Sequence, residues 1–123
     1  MKYRLEKDSL GEMKVPVNAY YGAQTQRAVE NFQISNLRFS YQFIQSLALI
    51  KKFSAKVNAE LGLLDKDIAE VIISVAEDIV NDDYSSEFVI DIFQTGSGTS
   101  TNMNMNEVIS NIAIEKIGGK KGD

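Results

Sequence analysis

The sequence predicts a mainly α-helical domain with a short extended or hairpin element at its N-terminus. Three observations carry that expectation. Apolar residues recur at spacings of three and four between residues 41 and 80, and again after residue 102. Gly62 and the pair Gly118-Gly119 close two of those stretches, where a helix needs a stop. Before residue 20, charged and apolar positions alternate around Gly11, and the only proline of the chain, Pro16, lies there.

Taken in order, residues 1–20 read as an irregular arm with extended pieces and a hairpin across Asp8 to Glu12. Tyr20 to Phe32 fits a short helix, with Gly22 near its start and Ala23, Ala28, Val29 and Phe32 as its apolar positions. Tyr41 to Leu61 is the first long helix. Its main stripe is Phe43, Leu47, Ile50, Ser54, Val57 and Leu61, and a second row at Ile44, Ala48 and Ala55 widens it. The next helix opens on Asp67 and Glu70 in a capping-box pattern, with Asp65 as the alternative cap, and runs to about Val80 through Ile68, Ile72, Val75, Ala76 and Ile79. Asn81 to Glu87 reads as a polar turn whose acids Asp82, Asp83 and Glu87 are solvated. Phe88 to Phe93 reads as a short strand or extended segment. A last helix runs from near Asn102 to Ile117, with Val108, Ile109, Ile112, Ala113 and Ile117 inward. No repeat or linker divides the chain, so residues 1–123 form one domain.

Composition narrows the function. With 44% hydrophobic and 24% charged residues, 123 residues suffice for a soluble domain with a core. A net charge of −4 offers no basic field for nucleic acid or an anionic membrane surface. The N-terminal residues carry no apolar or arginine-rich targeting pattern, and no apolar run has membrane-spanning length, so a cytoplasmic location is expected. Cysteine and histidine are both absent, which removes disulfides, thiolate metal sites and the commonest general acid–base. Chemistry must rest on hydroxyls, amides, carboxylates, Lys, Arg or Tyr, and a metal site has little support.

The run Gln94-Thr95-Gly96-Ser97-Gly98-Thr99-Ser100-Thr101-Asn102-Met103-Asn104-Met105-Asn106-Glu107 stands out. Its glycines let the backbone approach a ligand, its hydroxyls and amides supply neutral hydrogen bonds, and the following helix start adds free N–H groups suited to a carboxylate or phosphate. Composition alone favours an ordinary surface loop. The run lacks the Lys-Ser/Thr of a phosphate loop and the G-x-G-x-x-G of dinucleotide binding. Three asparagines in five residues exceed what capping requires. Asn102 and Asn106 share a face, while Asn104 points elsewhere; Met103 and Met105 read as core fillers. Arg27, after Gln24-Thr25-Gln26, could clamp a carboxylate, whereas Lys51 and Lys52 read as a solvated edge.

Three stretches resemble the class II fumarases of the fumarase/aspartase superfamily. They are Arg4-x-Glu6-x-Asp8-x-x-Gly11 with Val15-Pro16 and Tyr20-Tyr21-Gly22-Ala23-Gln24-Thr25-Gln26-Arg27; Lys51-Lys52-x-x-Ala55-x-x-Asn58-x-x-Leu61-Gly62; and the Gln94–Glu107 run. The family usually has Pro at the position of Val89 and commonly Trp at that of Phe93. Aspartases usually carry smaller residues at the Thr95 and Ser97 positions, so the loop favours a fumarase.

The resemblance implies the N-terminal helical domain of the fumarase/aspartase fold, in a protein several-fold longer that forms a homotetramer. It implies reversible hydration of fumarate to L-malate, a step of the tricarboxylic acid cycle, without metal or organic cofactor. Ser97, Gly98, Thr99 and Asn102 would bind a substrate carboxylate, with Arg27 a weaker candidate. No catalytic base lies in this chain, since the family's Thr-His pair, serine loop and Lys/Asn pair fall downstream, and the chain alone is expected to be inactive. The alternatives are an aspartate ammonia-lyase of the same superfamily and a non-catalytic structural or interaction module.

Overall fold

The N-terminal alternation folds as a hairpin. In the computed structural model, which describes residues 1–123, β1 (Tyr3–Asp8) pairs antiparallel with β2 (Gly11–Pro16), and Asp8 stands opposite Gly11. The Leu10 amide donates to Asp8 Oδ1 at 2.9 Å, and Gly11 takes a φ of 124° that side-chain-bearing residues rarely adopt. A two-stranded ribbon is marginal alone. Two anchors hold this one: Val15 is fully buried, and Arg4 reaches from β1 across the connection that follows β2. The Arg4 guanidinium donates to the carbonyls of Pro16 (2.8 Å), Val17 (3.2 Å), Ala19 (2.7 Å) and Tyr21 (2.8 Å), and it pairs with Glu6. Only arginine offers enough rigidly placed donors for that task.

Four helices follow: α1 (Ala23–Asn31), α2 (Tyr41–Glu60), α3 (Lys66–Asn81) and α4 (Thr99–Lys116), with a single 3-10 turn at Ser85–Glu87. Helices α2 and α3 form an antiparallel pair. At the end of α2 the Gly62 amide bonds Ala59 O and the Leu63 amide bonds Asn58 O, with Gly62 at a φ of 75°, the two-bond stop that favours glycine. Asp65, the alternative cap, is the one used: its carboxylate accepts from the Asp67 and Ile68 amides at 2.9 and 3.2 Å.

The inward face of α2 differs from expectation. Phe43, Ile50, Val57 and Leu61 of the main stripe are 46%, 60%, 50% and 66% exposed, whereas the second row, Ile44, Ala48 and Ala55, is buried. Both rows satisfy a helical period. The alanines let neighbouring helices approach closely, and of the larger row only Leu47 packs against the core. Elsewhere the inward residues largely follow the period: Val75, Ala76 and Ile79 of α3 and Val108, Ile109 and Ile112 of α4 are buried, while Ile68 and Ile117 at the helix ends are exposed.

Phe88 to Phe93 joins no sheet. Phe88, Ile90 and Asp91 are buried, and the Asp91 carboxylate takes the place of a strand partner. It accepts from the Ile34, Ser35 and Phe93 amides and from the Ser35 hydroxyl. Glu87 is likewise no solvated acid: it is buried, and its carboxylate accepts from the Tyr20 amide at 2.6 Å. Asp82 and Asp83 are exposed as expected. No helix is long and apolar enough to cross a membrane.

Candidate functional site

Helix α4 begins at Thr99, three residues before the expected start, because the loop itself supplies its cap. Thr95 to Gly98 closes a tight turn, with the Gly98 amide donating to Thr95 O at 3.0 Å. Gly98 then takes a φ of 72° at the N-cap, and a Cβ there would meet no atom, so glycine is required by conformation rather than space. Gly98 has no side chain to cap with. Gln94 does so from outside: its Oε1 accepts from the Thr101 amide at 2.9 Å, and its Nε2 donates to Thr101 Oγ1 and to Asp91 O at 2.7 and 3.0 Å. Asp91 thus anchors both the segment before the loop and, through Gln94, the helix after it.

With Thr101 so engaged and the Asn102 amide bonded to Gly98 O, the amides of Thr99 and Ser100 donate to no protein acceptor. Those of Gly96 and Ser97 are also free. Ser97 and Thr99 are exposed, Gly98 and Asn102 half-buried. The four residues singled out by sequence therefore cluster at a helix N-terminus where free N–H groups and hydroxyls meet, an arrangement that stabilises a carboxylate.

The asparagines divide their work. Asn104 is buried and donates to Glu87 O at 2.9 Å; Asn102 Oδ1 accepts from Lys51 Nζ at 2.5 Å; Asn106 lines a groove of about 650 Å³ between α2, α3 and α4. None caps the helix. Met105 is fully buried and Met103 half-buried, in keeping with filler roles.

Arg27 is engaged elsewhere. Its guanidinium grips the Asp8 carboxylate at 3.0 and 2.8 Å, which holds that acid below its ordinary range and raises the arginine. All its hydrogen bonds go to the hairpin tip, none to the loop. A recognition role for Arg27 would have to compete with that pairing.

Two residues of the site carried a weaker sequence signal. Gln94 belongs to the run but shows no capping pattern, because it acts seven residues away. Lys51 is half-buried, makes no ion pair, and burial pushes its ammonium below the usual lysine value; its neighbour Lys52 pairs with Glu77 at 3.0 Å. The signal for Lys51 was its place between Ala48 and Ala55 on the small-residue row, where a charge is unexpected.

Beyond the loop, Glu107 of α4 reaches α1. Its carboxylate accepts from the Gln24 amide (3.0 Å), the Thr25 amide (2.8 Å) and the Thr25 hydroxyl (2.6 Å). These bonds cap α1, whose N-cap residue is Gly22.

A family model described as lyase matches residues 11–121. The chain belongs to the lyase family. Within it, the chain is 51% identical to the class II fumarate hydratase of Halobacterium salinarum, over 98% of its own length and 26% of that protein. It is 47% identical to an aspartate ammonia-lyase of a Bacillus species, again over 98% of the chain and 26% of the relative. The crystal structure of class II fumarase from Schistosoma mansoni superposes with a TM-score of 0.95 at 38% identity, covering 99% of the chain and 26% of that protein. This lyase chain thus spans about a quarter of the length of the relatives it matches, and its helices with their short hairpin are consistent with the N-terminal helical domain of the fumarase fold.

Proposed function

We propose that the protein carrying this chain is a fumarate hydratase, and that the Gln94–Glu107 loop forms one wall of its dicarboxylate site. Ser97, Gly98, Thr99 and Asn102 bind a substrate carboxylate. The observation that carries this reading is the pair of unpartnered amides at Thr99 and Ser100, locked in place by Gln94 and flanked by exposed hydroxyls. In the reaction run from L-malate to fumarate, a base takes the proton next to a carboxylate. The charge that builds on that carboxylate is stabilised by donors already aimed at it, before hydroxide leaves.

This chain has no histidine, and the loop presents donors rather than a base. Proton transfer is therefore assigned to residues outside it, with the site completed in a homotetramer by other subunits. A cytoplasmic enzyme without metal or organic cofactor fits this scheme.

An aspartate ammonia-lyase is the second reading, favoured by the Bacillus relative at 47% identity. Thr95 and Ser97 argue for the hydratase. Steady-state assay of the full-length protein with fumarate, L-malate and L-aspartate separates the two. Hydration of fumarate is the expected result; turnover of aspartate alone overturns it. Binding of a dicarboxylate with no turnover of any of the three would assign the protein to a non-catalytic role.

A further inference from the structure

Lys51 lies where a cation is costly. It occupies the α2 row made by Ile44, Ala48 and Ala55, is half-buried and has no carboxylate partner. Its one hydrogen bond is the 2.5 Å contact to Asn102 Oδ1. An ammonium only donates, so the oxygen of the Asn102 amide must face Lys51, and the amide orientation is chosen by chemistry rather than left free. Asn102 Nδ2, on the other branch, donates to no protein acceptor. Asn102 also stands one helical turn above Gly98, its amide bonded to Gly98 O at 3.2 Å. The lysine charge is thereby held at Asn102, the fourth residue of α4.

We propose that Lys51 is a positioning residue for the substrate carboxylate. It fixes Asn102 so that Nδ2 donates toward the anion bound at Ser97 to Thr99, and it adds a fixed positive charge behind that amide. Substrate and lysine reinforce each other: a dianion nearby offsets the cost of the half-buried cation, and the cation polarises the amide that meets the dianion.

This inference rests on the dicarboxylate reading of the loop, and its test uses the full-length protein. Lys51→Met, Lys51→Arg, Asn102→Ala and the double variant Lys51→Met/Asn102→Ala are compared by kcat and KM for fumarate and by melting temperature. Lys51→Met is expected to lower kcat/KM about tenfold or more with little change in melting temperature, and Lys51→Arg to recover most of the loss. In the Asn102→Ala background, Lys51→Met is expected to cost less than about twofold, because the two residues act as one unit. Full multiplication of the two losses, or unchanged kinetics in Lys51→Met, would overturn the proposal. Should Lys51→Met melt markedly earlier, Lys51→Gln, which keeps an N–H donor without the charge, is read in the same cycle against the same criteria. If the wild-type protein turns over neither fumarate nor aspartate, the hydratase reading fails. The Lys51–Asn102 coupling is then read from succinate affinity by calorimetry, where additive losses of affinity refute it.

Discussion

Glu107, in the third turn of α4, caps the start of α1 by accepting from both the amide and the hydroxyl of Thr25. A helix whose own N-cap is glycine has no side-chain oxygen there. The carboxylate of a residue 82 positions away supplies it. Gly22 is glycine for the same reason, since a Cβ at that position would lie 2.6 Å from Glu107 Oε2 and 2.8 Å from Glu6 Oε1.

Removing that cap should loosen the N-terminal arm. Glu107→Ala is expected to cost about 1.5–3 kcal/mol, the scale of hydrogen bonds to a charged group. Glu107→Gln, which keeps one acceptor, should cost less. Urea unfolding of the full-length protein compares them, and equal losses for the two variants would contradict the capping role.

Thr99 tests the loop as a substrate site. In the full-length enzyme, Thr99→Ala is expected to lower turnover tenfold or more, about the scale of losing one hydrogen bond made in the transition state. Unchanged turnover in a steady-state assay would remove Thr99 from the site.

Gln94 tests the lock behind the loop. Gln94→Leu preserves bulk but strips the cap from the Thr101 amide, exposing one more helix-start donor and freeing Thr101 Oγ1. A loss of about 1 kcal/mol in stability is expected together with a rise in KM for fumarate. Stability that falls while kinetics stay at wild-type values would mean that the lock serves the fold alone.

Glu87 makes stability depend on pH in an unusual direction. Burial raises its carboxyl above the ordinary value of 4.5, against the opposing pull of the Tyr20 amide, Lys121, the Tyr21 amide and Arg4. The folded protein then binds a proton that the unfolded chain has released, so this group's contribution falls as pH rises from about 4.5 through the raised value. Asp91 behaves oppositely. Burial raises it, but the bonds from Phe93, Ser35 and Ile34 outweigh that and hold it below the ordinary range, so its contribution is lost in acid. Glu87→Gln keeps an acceptor for Tyr20 and is expected to gain melting temperature on wild type as pH rises from about 5 to about 7. A constant difference across that range would show that Glu87 does not titrate with folding.

Much of this molecule was legible from sequence where the signal is local. The hairpin, the helices and the Gly62 stop follow from alternation, period and backbone freedom within a few residues. What escaped depends on partners far along the chain. Nothing near Glu87 announces that the Tyr20 amide waits for it, and nothing near Asp91 announces Ser35. The two apolar rows of α2 fit the same period, so only the small size of Ala48 and Ala55 could indicate which one faces the neighbouring helices. The loop was legible as a candidate because its composition is unusual; Lys51 beside it looked like surface until its row was known to be the buried one.

The long reach of these side chains bears on how the chain folds as it is made. The Gln24 and Thr25 amides wait for Glu107, Tyr20 O waits for Asn111, and the carbonyls of Val17 and Asn18 wait for Lys121, across sequence separations of 82 to 104 residues. At about 5–20 residues synthesised per second, the arm leaves the ribosome about 4–21 s before the side chains of α4 and of Lys121 that complete it. During that interval the start of α1 lacks its cap. The arm therefore folds late although it is made before its partners.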